Sequence, residues 1–160
     1  MATDFILEID GVEGESKIKG HEKKIEIQSW GIAMSNSGSS NTGGGGGSGK
    51  VHFQDIHFSK SVDSASNKLQ LHCAGGKHIK KAILFIRKQG KDNKPQEFIK
   101  VTMEDLLISS YNLTPSGDTP QEQFTVNFAK YKFEYAPQKA DGSLEAYKPF
   151  SWDVKANTGT

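Results

Sequence analysis

A glycine-rich stretch is the first candidate for a chemical function in this sequence. Gly44-x-x-x-x-Gly49-Lys50 fits the first seven positions of a phosphate-binding loop. Val51, however, stands where a magnesium-binding Ser or Thr is needed, and the residues after it have β-strand character, whereas a phosphate loop opens a helix. The sequence therefore argues against nucleotide binding.

The five histidines and the one cysteine lack the spacing of a metal site or a nucleophile. His52 and His57 are an odd number of residues apart, so a regular strand turns them to opposite faces. His72 and Cys73 are neighbours on a predicted helix and diverge. We interpret the histidines as surface or rim residues and Cys73 as a small buried hydrophobic residue. No metal and no cofactor is expected.

The carboxylates and the amides give no catalytic arrangement either. Glu104 and Asp105 are adjacent and point to opposite faces of a strand, so they cannot share acid–base work. Asn112-Leu-Thr114 fits a glycosylation sequon, which has meaning only on a secretory route. We predict no catalytic residues and no enzyme activity.

Composition bounds the class of protein. The chain has 160 residues, of which 34% are apolar and 17 are Gly, and we expect one domain over residues 1–160. The net charge of +1 gives no long-range attraction to nucleic acid or an anionic membrane. The lone Cys73 excludes an internal disulfide and favours a reducing compartment. There is no Sec-type signal and no apolar run of 18 residues, so we expect cytoplasmic folding without membrane insertion, with export only by a dedicated machine.

The stretch Gln121–Tyr135 is the clearest structural element. Phe124, Val126 and Phe128 alternate with polar residues, as in a strand with two different faces. After Ala129 the large apolar residues move from even to odd positions. This slip predicts either a bulge near residues 129–130 or a strand that passes from one environment into another.

The remaining periodicity predicts an antiparallel barrel or sandwich of seven to eight strands with one flanking helix. The helix is expected over residues 61–76, with Ser61 as N-cap, Gly75-Gly76 as the stop, and Val62, Ala65, Leu69 and Cys73 on one face. The other predicted strands span residues 5–10, 25–34, 51–58, 79–89, 96–109 and 144–154, and residues 155–160 form a frayed tail.

Residues 35–50 contain no hydrophobic side chain, and five of them are consecutive glycines. Such a stretch cannot offset its own ordering entropy by burial, so we predict a long, mobile surface loop. Loops of this length inside a compact domain are usually functional or disordered.

Several segments, in order and over nearly the whole chain, form a specific set, although each is weak alone. They are Ile9-Asp-Gly-Val-Glu-Gly-Glu-Ser16, Trp30 with the Ser/Gly-rich stretch after it, Gly49-Lys50-Val51-x-x-x-Asp55, Leu69-x-x-x-Cys73, Gly76-Lys77-His78, Ala82-x-Leu84-x-Ile86-Arg87-Lys88, Asn127-Phe128-Ala129 and Tyr135-x-Pro137-Gln138-Lys139-Ala140-Asp141-Gly142. Together they resemble the haemolysin-coregulated protein family, the tube proteins of bacterial type VI secretion systems.

The resemblance implies a β-barrel with a flanking helix and a structural function without catalysis. Six copies would form a ring, and stacked rings would form a hollow tube. The implied partners are other copies of the chain, a contractile sheath, a spike protein and effector proteins in the bore. The tube protein would assemble in the bacterial cytoplasm and then appear outside the cell without a Sec signal peptide.

Two surfaces are candidates for these contacts. We expect the long loop to mediate ring stacking, through Ser35, Ser37, Asn41, Gly43, Gly47 and Lys50. We expect the polar turn at residues 112–120 to contact cargo at the rim or bore, through Asn112, Thr114, Ser116 and Asp118. The alternative function is a monomeric barrel that binds a small hydrophobic ligand, although the polar strand faces argue against an apolar interior.

Overall fold

The computed structural model describes residues 3–38, 49–115 and 117–160, and in these parts of the chain it contains eleven strands and one α-helix. A 3-10 turn, Lys91–Asn93, lies between β7 and β8. The elements in order are β1 Asp4–Ile9, β2 Ile25–Ile27, β3 Ser29–Gly31, β4 Met34–Asn36, β5 Val51–Phe53, β6 Ile56–Ser61, α1 Ser66–Gly75, β7 Ile79–Gln89, β8 Pro95–Thr114, β9 Gln121–Tyr135, β10 Lys148–Asp153 and β11 Thr158–Gly159.

Nine of these strands form one antiparallel sheet. Its order is β11-β10-β9-β8-β7-β1-β2, and β6 pairs with β9 and carries β3 on its other side. The predicted class, mainly antiparallel β with one α-helix, is confirmed. The hydrogen-bonded sheet is not closed into a barrel, because β2 and β3 pair with different strands and only Gln28 joins them. The strand count exceeds the prediction because residues 25–34 and 51–58 are each divided into shorter strands and because the tail forms β11.

The phase slip in β9 occurs where the strand changes its neighbour. Residues up to Val126 pair with β6, and residues from Lys130 pair with β10. Phe128 and Ala129 lie between these two parts of the strand, and both are buried. In the ladder between β9 and β8, Ala129 and Asp105 do not form a pair. Asp105 has a φ of 50°, so β8 changes phase at the same level. Of the two predicted explanations, the structure agrees with passage from one environment into another.

A second slip, in residues 25–34, has the same origin. Ile25 and Ile27 are buried in β2 against β1, whereas Trp30 lies in β3 against β6. Between them, Gln28 N donates to Ser59 O over 2.8 Å. The chain therefore changes partners within three residues, and the apolar phase changes with it.

The helix begins five residues later than predicted. Ser61 ends β6, so it cannot cap the helix, and Val62 is 42% exposed instead of lying on a buried stripe. Asp63 does contribute at the start: its Oδ1 accepts from Ala65 N–H over 2.9 Å, and its own N–H donates to Ser66 Oγ over 3.0 Å. This local hydrogen bonding fixes the turn that precedes α1.

The helix ends as predicted. Gly76 has a φ of 61° and donates its N–H to Cys73 O over 3.3 Å. Glycine adopts this left-handed conformation without the steric cost that a Cβ brings. Leu69 is buried, while Cys73 is only half-buried.

The segment after β10, expected to fray, instead turns back on the sheet. β11 pairs with β10, and Ser151 and Thr160 exchange two backbone hydrogen bonds of 3.0 Å. Lys155 Nζ lies 2.9 Å from Asp105 Oδ2, and this contact and His78 lower the pKa of the Asp105 carboxyl. The tail is therefore held at both ends by polar contacts that apolar periodicity does not reveal.

The hydrophobic core is formed mainly by buried side chains of the sheet, from β1, β2, β6, β7, β8 and β9, and α1 adds Leu69. Within it the phenyl rings of Phe58 and Phe124 stack with centroids 5.1 Å apart. Its fully buried aliphatic side chains include Leu7, Ile25, Ile56, Leu69, Leu84, Val101, Met103 and Leu106.

Candidate assembly surfaces

The base of the long predicted loop is a two-stranded ribbon, formed by β4 and β5. The register places Ser35 opposite His52 and Asn36 opposite Val51, so the first residues expected in the loop are strand residues instead. Asn36 Nδ2 donates to Gly49 O over 2.8 Å and holds the two segments of the ribbon together just beyond the ladder. The predicted loop start is therefore corrected: cross-strand pairing orders these polar residues where burial cannot.

The other residues of the predicted stacking contact divide into two groups. Ser37, directly after β4, and Lys50, directly before β5, are exposed. Asn41, Gly43 and Gly47 lie outside the described residues. Their part in stacking stays a prediction.

The ribbon forms its own small sheet and joins the main sheet through a short hinge, residues 32–33 and 54–55. The last pair of the β3–β6 ladder is Gly31 with His57, and the first pair of the ribbon is Met34 with Phe53. Between these pairs, Gln54 N donates to Ala33 O over 2.9 Å. The backbone alone therefore holds the direction of the ribbon only weakly.

Side chains on the β5 side of the hinge contact the main sheet. The ring of Phe53 lies 5.6 Å from that of Phe128 and 5.8 Å from that of Tyr131, measured between centroids. Aromatic pairs at these separations are favourable beyond their area burial. Burial raises the pKa of Tyr131 to about 12, which keeps the phenol neutral in this cluster.

The carboxylate of Asp55 makes a second contact, on the polar face of the sheet. Its Oδ2 accepts from Ser109 Oγ over 2.6 Å, and its Oδ1 accepts from Asn127 Nδ2 over 2.8 Å. Ser109 and Ser110 also reach Thr125 Oγ1, at 2.7 and 2.5 Å. One carboxylate thus connects the hinge to both β8 and β9.

The candidate cargo surface is the tip of the β8–β9 hairpin, residues 112–120. β8 runs to Thr114, so Asn112 and Thr114 are strand residues opposite Gln123 and Gln121, and the turn is shorter than predicted. Asn112, Thr114 and Asp118 are exposed, and Ser116 lies outside the described residues. Leu113, which is 50% exposed, gives the tip an apolar side chain on the opposite strand face.

A buried ionic network lies at the base of this hairpin tip. Lys60 on β6 and Glu122 on β9 are direct cross-strand partners, both fully buried, and their side chains are in contact. Lys60 Nζ also donates to Asp63 Oδ1 over 2.7 Å. Glu122 further accepts from Ser66 Oγ over 2.8 Å and from the hydroxyl of Tyr111.

This network links four elements, because its members come from β6, β8, β9 and the start of α1. Burial and the neighbouring Glu122 raise the pKa of Tyr111, so its hydroxyl remains a donor. Buried charges are tolerated only when they are paired and hydrogen-bonded, as they are here.

The two candidate surfaces lie on different elements. Among the described residues, no hydrogen bond joins the ribbon to the hairpin tip.

Two of the five histidines are not the surface or rim residues that we predict: His21 and His72 are buried, and His52, His57 and His78 are exposed. His21 Nδ1 accepts from Lys24 Nζ over 3.1 Å and its Nε2 contacts Glu97, so a satisfied structural histidine replaces the expected surface one.

No prediction from the sequence included the contacts of Asp55, Lys60 and Glu122. The sequence does carry a signal for two of them. Lys60 and Glu122 share the even, apolar phase of their strands with residues such as Phe58 and Phe124. Opposite charges on the buried phase of two strands indicate a buried pair. Asp55 lies between strands, so apolar periodicity gives no signal for its contacts.

Comparison with known proteins places the chain among type VI secretion proteins. A family model described as "Type VI secretion system effector, Hcp" matches residues 6–135. The chain is 41% identical over 160 residues to "Protein hcp1" of Pseudomonas aeruginosa, and the match covers 98% of each chain.

Solved structures agree. One described as "Structure of a type six secretion system protein" superposes with a TM-score of 0.90 at 27% identity and covers 99% of this chain and 100% of that chain. The crystal structure of Hcp1 from Salmonella typhimurium gives a TM-score of 0.81 at 32% identity and covers 100% of both chains. In the described parts of this chain, no helix has the length and apolar content to cross a membrane.

Proposed function

Because the chain belongs to the Hcp family of type VI secretion proteins, we propose that it is the structural subunit of the secretion tube. Six copies form a ring, and rings stack into a hollow tube that carries effector proteins in its bore. A contractile sheath propels the tube, which a spike protein tips. The observation that carries this proposal is the family match over most of the chain. This is not an enzyme family, and we propose that the protein acts without catalysis.

The route of the protein follows from the same proposal. The chain folds and assembles in the bacterial cytoplasm and leaves the cell with the tube. The polar face of β9 supports a water-filled bore, since Asn127 is exposed and Thr125 is bonded to two serine hydroxyls on that face. Contacts between unlike surfaces of identical subunits close into a ring when the rotation between them allows it.

Ring stacking is assigned in this proposal to the loop that the β4–β5 ribbon carries. Ser35 supports this assignment, since it lies on an exposed ribbon that leaves the main sheet. Met34 lies on the same ribbon with 45% of its surface exposed. Deleting residues 43–47 should leave single rings and shorten or abolish stacks in electron micrographs. Stacks of unchanged length would refute the assignment.

Cargo contact is assigned to the hairpin tip, where Asn112, Thr114 and Asp118 present polar side chains to solvent. Replacing Asn112 or Thr114 with Trp should lower the amount of effector that copurifies with rings, because a bulky side chain excludes an ordered polar contact. A matched Trp substitution of the exposed Lys139 in the turn after β9 serves as control. Unaltered effector recovery in the Asn112 and Thr114 variants would remove this assignment.

Electron microscopy of the purified protein tests the main proposal. Class averages should show open rings with six-fold symmetry. A particle of monomer mass at ordinary concentration would refute the ring and favour the alternative, a ligand-binding β protein whose melting temperature rises with added lipid. A surface cavity of about 730 Å³ has Glu8, Asp10 and Lys24 among its lining residues, which suits a hydrophobic ligand poorly.

A further inference from the structure

The direction of the β4–β5 ribbon depends on side chains more than on backbone pairing. A two-stranded ribbon is only marginally stable alone. In the described part of the chain, the one backbone hydrogen bond between the two hinge segments, from Gln54 N to Ala33 O, leaves the ribbon free to tilt unless other contacts oppose it. Phe53 opposes tilt through its contacts with Phe128 and Tyr131.

Asp55 also opposes tilt, through hydrogen bonds. It is the last residue before β6, and its two carboxylate oxygens accept from different strands, at Ser109 and at Asn127. A residue bonded to two neighbouring strands cannot rotate without breaking one of the bonds. The exit of β5 from the sheet is therefore fixed relative to β8 and β9.

The only register shift in the described β8–β9 ladder lies at this contact. Pairing passes from Ile108 opposite Val126 to Ser110 opposite Thr125, which leaves Ser109 as the extra residue. A bulge redirects the side chain of the extra residue. Here the bulge turns the Ser109 hydroxyl to Asp55, so the irregularity in β8, the longest strand, makes this hydrogen bond possible.

We propose that Asp55 is a positioning residue, which fixes the direction in which the β4–β5 ribbon leaves the sheet and so presents the ribbon in one orientation to a second copy of this chain. The positioning rests on the contacts above alone. The second copy rests on the proposed function in ring stacking.

Hydrogen exchange read by mass spectrometry tests the positioning in the full chain. Asp55→Ala should speed exchange at the ribbon and at the Gln54 amide about tenfold. Exchange requires the ribbon to open locally, and the loss of hydrogen bonds that oppose this opening raises the population of the open form about tenfold. Exchange in β7 should not change. Asp55→Asn should behave like the native protein, because its carbonyl still accepts from Asn127 and its amide donates to Ser109.

The exposed carboxylate of Asp141 provides the control. Asp141 accepts from the Ser143 N–H and hydroxyl in the turn after β9, away from the hinge. Asp141→Ala should leave ribbon exchange unchanged. Equal ribbon exchange in Asp55→Ala and native protein, or faster exchange throughout the Asp55→Ala chain, would overturn the positioning role.

Electron microscopy of the same variants separates this inference from the proposed function. Rings with shortened stacks in Asp55→Ala, together with normal stacks in Asp55→Asn, support both. A loosened ribbon with normal stacks keeps the positioning role and refutes the presentation to a second copy. Absence of rings in the native protein refutes the proposed function, while the exchange result still decides the role of Asp55.

Discussion

Glu122 should be among the costliest residues to replace outside the hydrophobic core. The Glu122 side chain is fully buried and accepts from Lys60, Ser66 and Tyr111. Replacing it with Leu leaves the ammonium of a fully buried lysine without its cross-strand partner. Breaking a buried pair by removing one member costs about 3–5 kcal/mol.

The lower end of that range applies, because Lys60 keeps two other partners. Its Nζ still donates to Asp63 Oδ1 over 2.7 Å and to Ser61 O over 2.9 Å. We therefore expect Glu122→Leu to lower the free energy of unfolding by about 3 kcal/mol. For a chain of this size this corresponds to a melting temperature lower by roughly 6–12 °C.

Urea unfolding followed by circular dichroism gives the measurement. It must be made under conditions where all variants are monomers, since association of folded copies raises apparent stability. Lys132→Met is the matched control: Lys132 is exposed and lies 3.7 Å from the partly exposed Glu134, and loss of a surface pair costs about 0–1 kcal/mol.

The double variant Lys60→Met/Glu122→Leu isolates the pair. Replacing both members of a buried ion pair with apolar residues is often close to neutral, so the double variant should be more stable than the sum of the single losses predicts. A loss below about 1 kcal/mol for Glu122→Leu, or simple additivity in the double variant, would refute the claim that this network is tightly coupled.

Two further perturbations test other parts of the fold. Burial raises the pKa of Tyr131 from 10.0 to about 12, so the stabilisation from its neutral phenol is complete below pH 10 and is lost as the pH rises through 12. Unfolding measured at pH 9 and 11.5 should therefore show a smaller alkaline loss for Tyr131→Phe than for native protein; an equal loss would contradict a buried phenol here. Gly76→Ala should cost about 1 kcal/mol, because φ at residue 76 is 61°, while Gly75→Ala in the last helical turn should be neutral or stabilising. Equal melting temperatures for the two alanine variants would contradict the left-handed cap.

Apolar periodicity predicted much of the sheet, because most strands have one buried face. β7 occupies the predicted residues 79–89, since a run such as Ala82–Ile86 favours a covered strand. The slip after Ala129 also carried information. It marks a change of neighbour from β6 to β10, and the slip after Ile27 marks a change from β1 to β6. A shift of phase without a turn is thus a sign that a strand changes partners.

The features that escaped prediction are held by polar groups. Residues 158–160 pair with β10 through backbone groups, which every sequence offers equally. The helix starts late because Ser61 pairs with Gln121, 60 residues away in sequence. This strand pairing competes with helix capping by Ser61, and local capping preferences give no information about it. The Ser109 bulge and its contact with Asp55 likewise depend on residues far apart in sequence.

The pairing of β1 has a consequence for how the protein folds during synthesis. β1 pairs with β7, and 70 residues separate Ile9 from Ile79. At about 5–20 residues per second, the ribosome needs roughly 4–14 s to make that interval. During this time Ile6, Leu7 and Ile9, all buried in the native sheet, have only the short β2 as a partner. Distant pairings of this kind make folding slow, so this strand is the segment of the nascent chain most exposed to mispairing and to capture by chaperones.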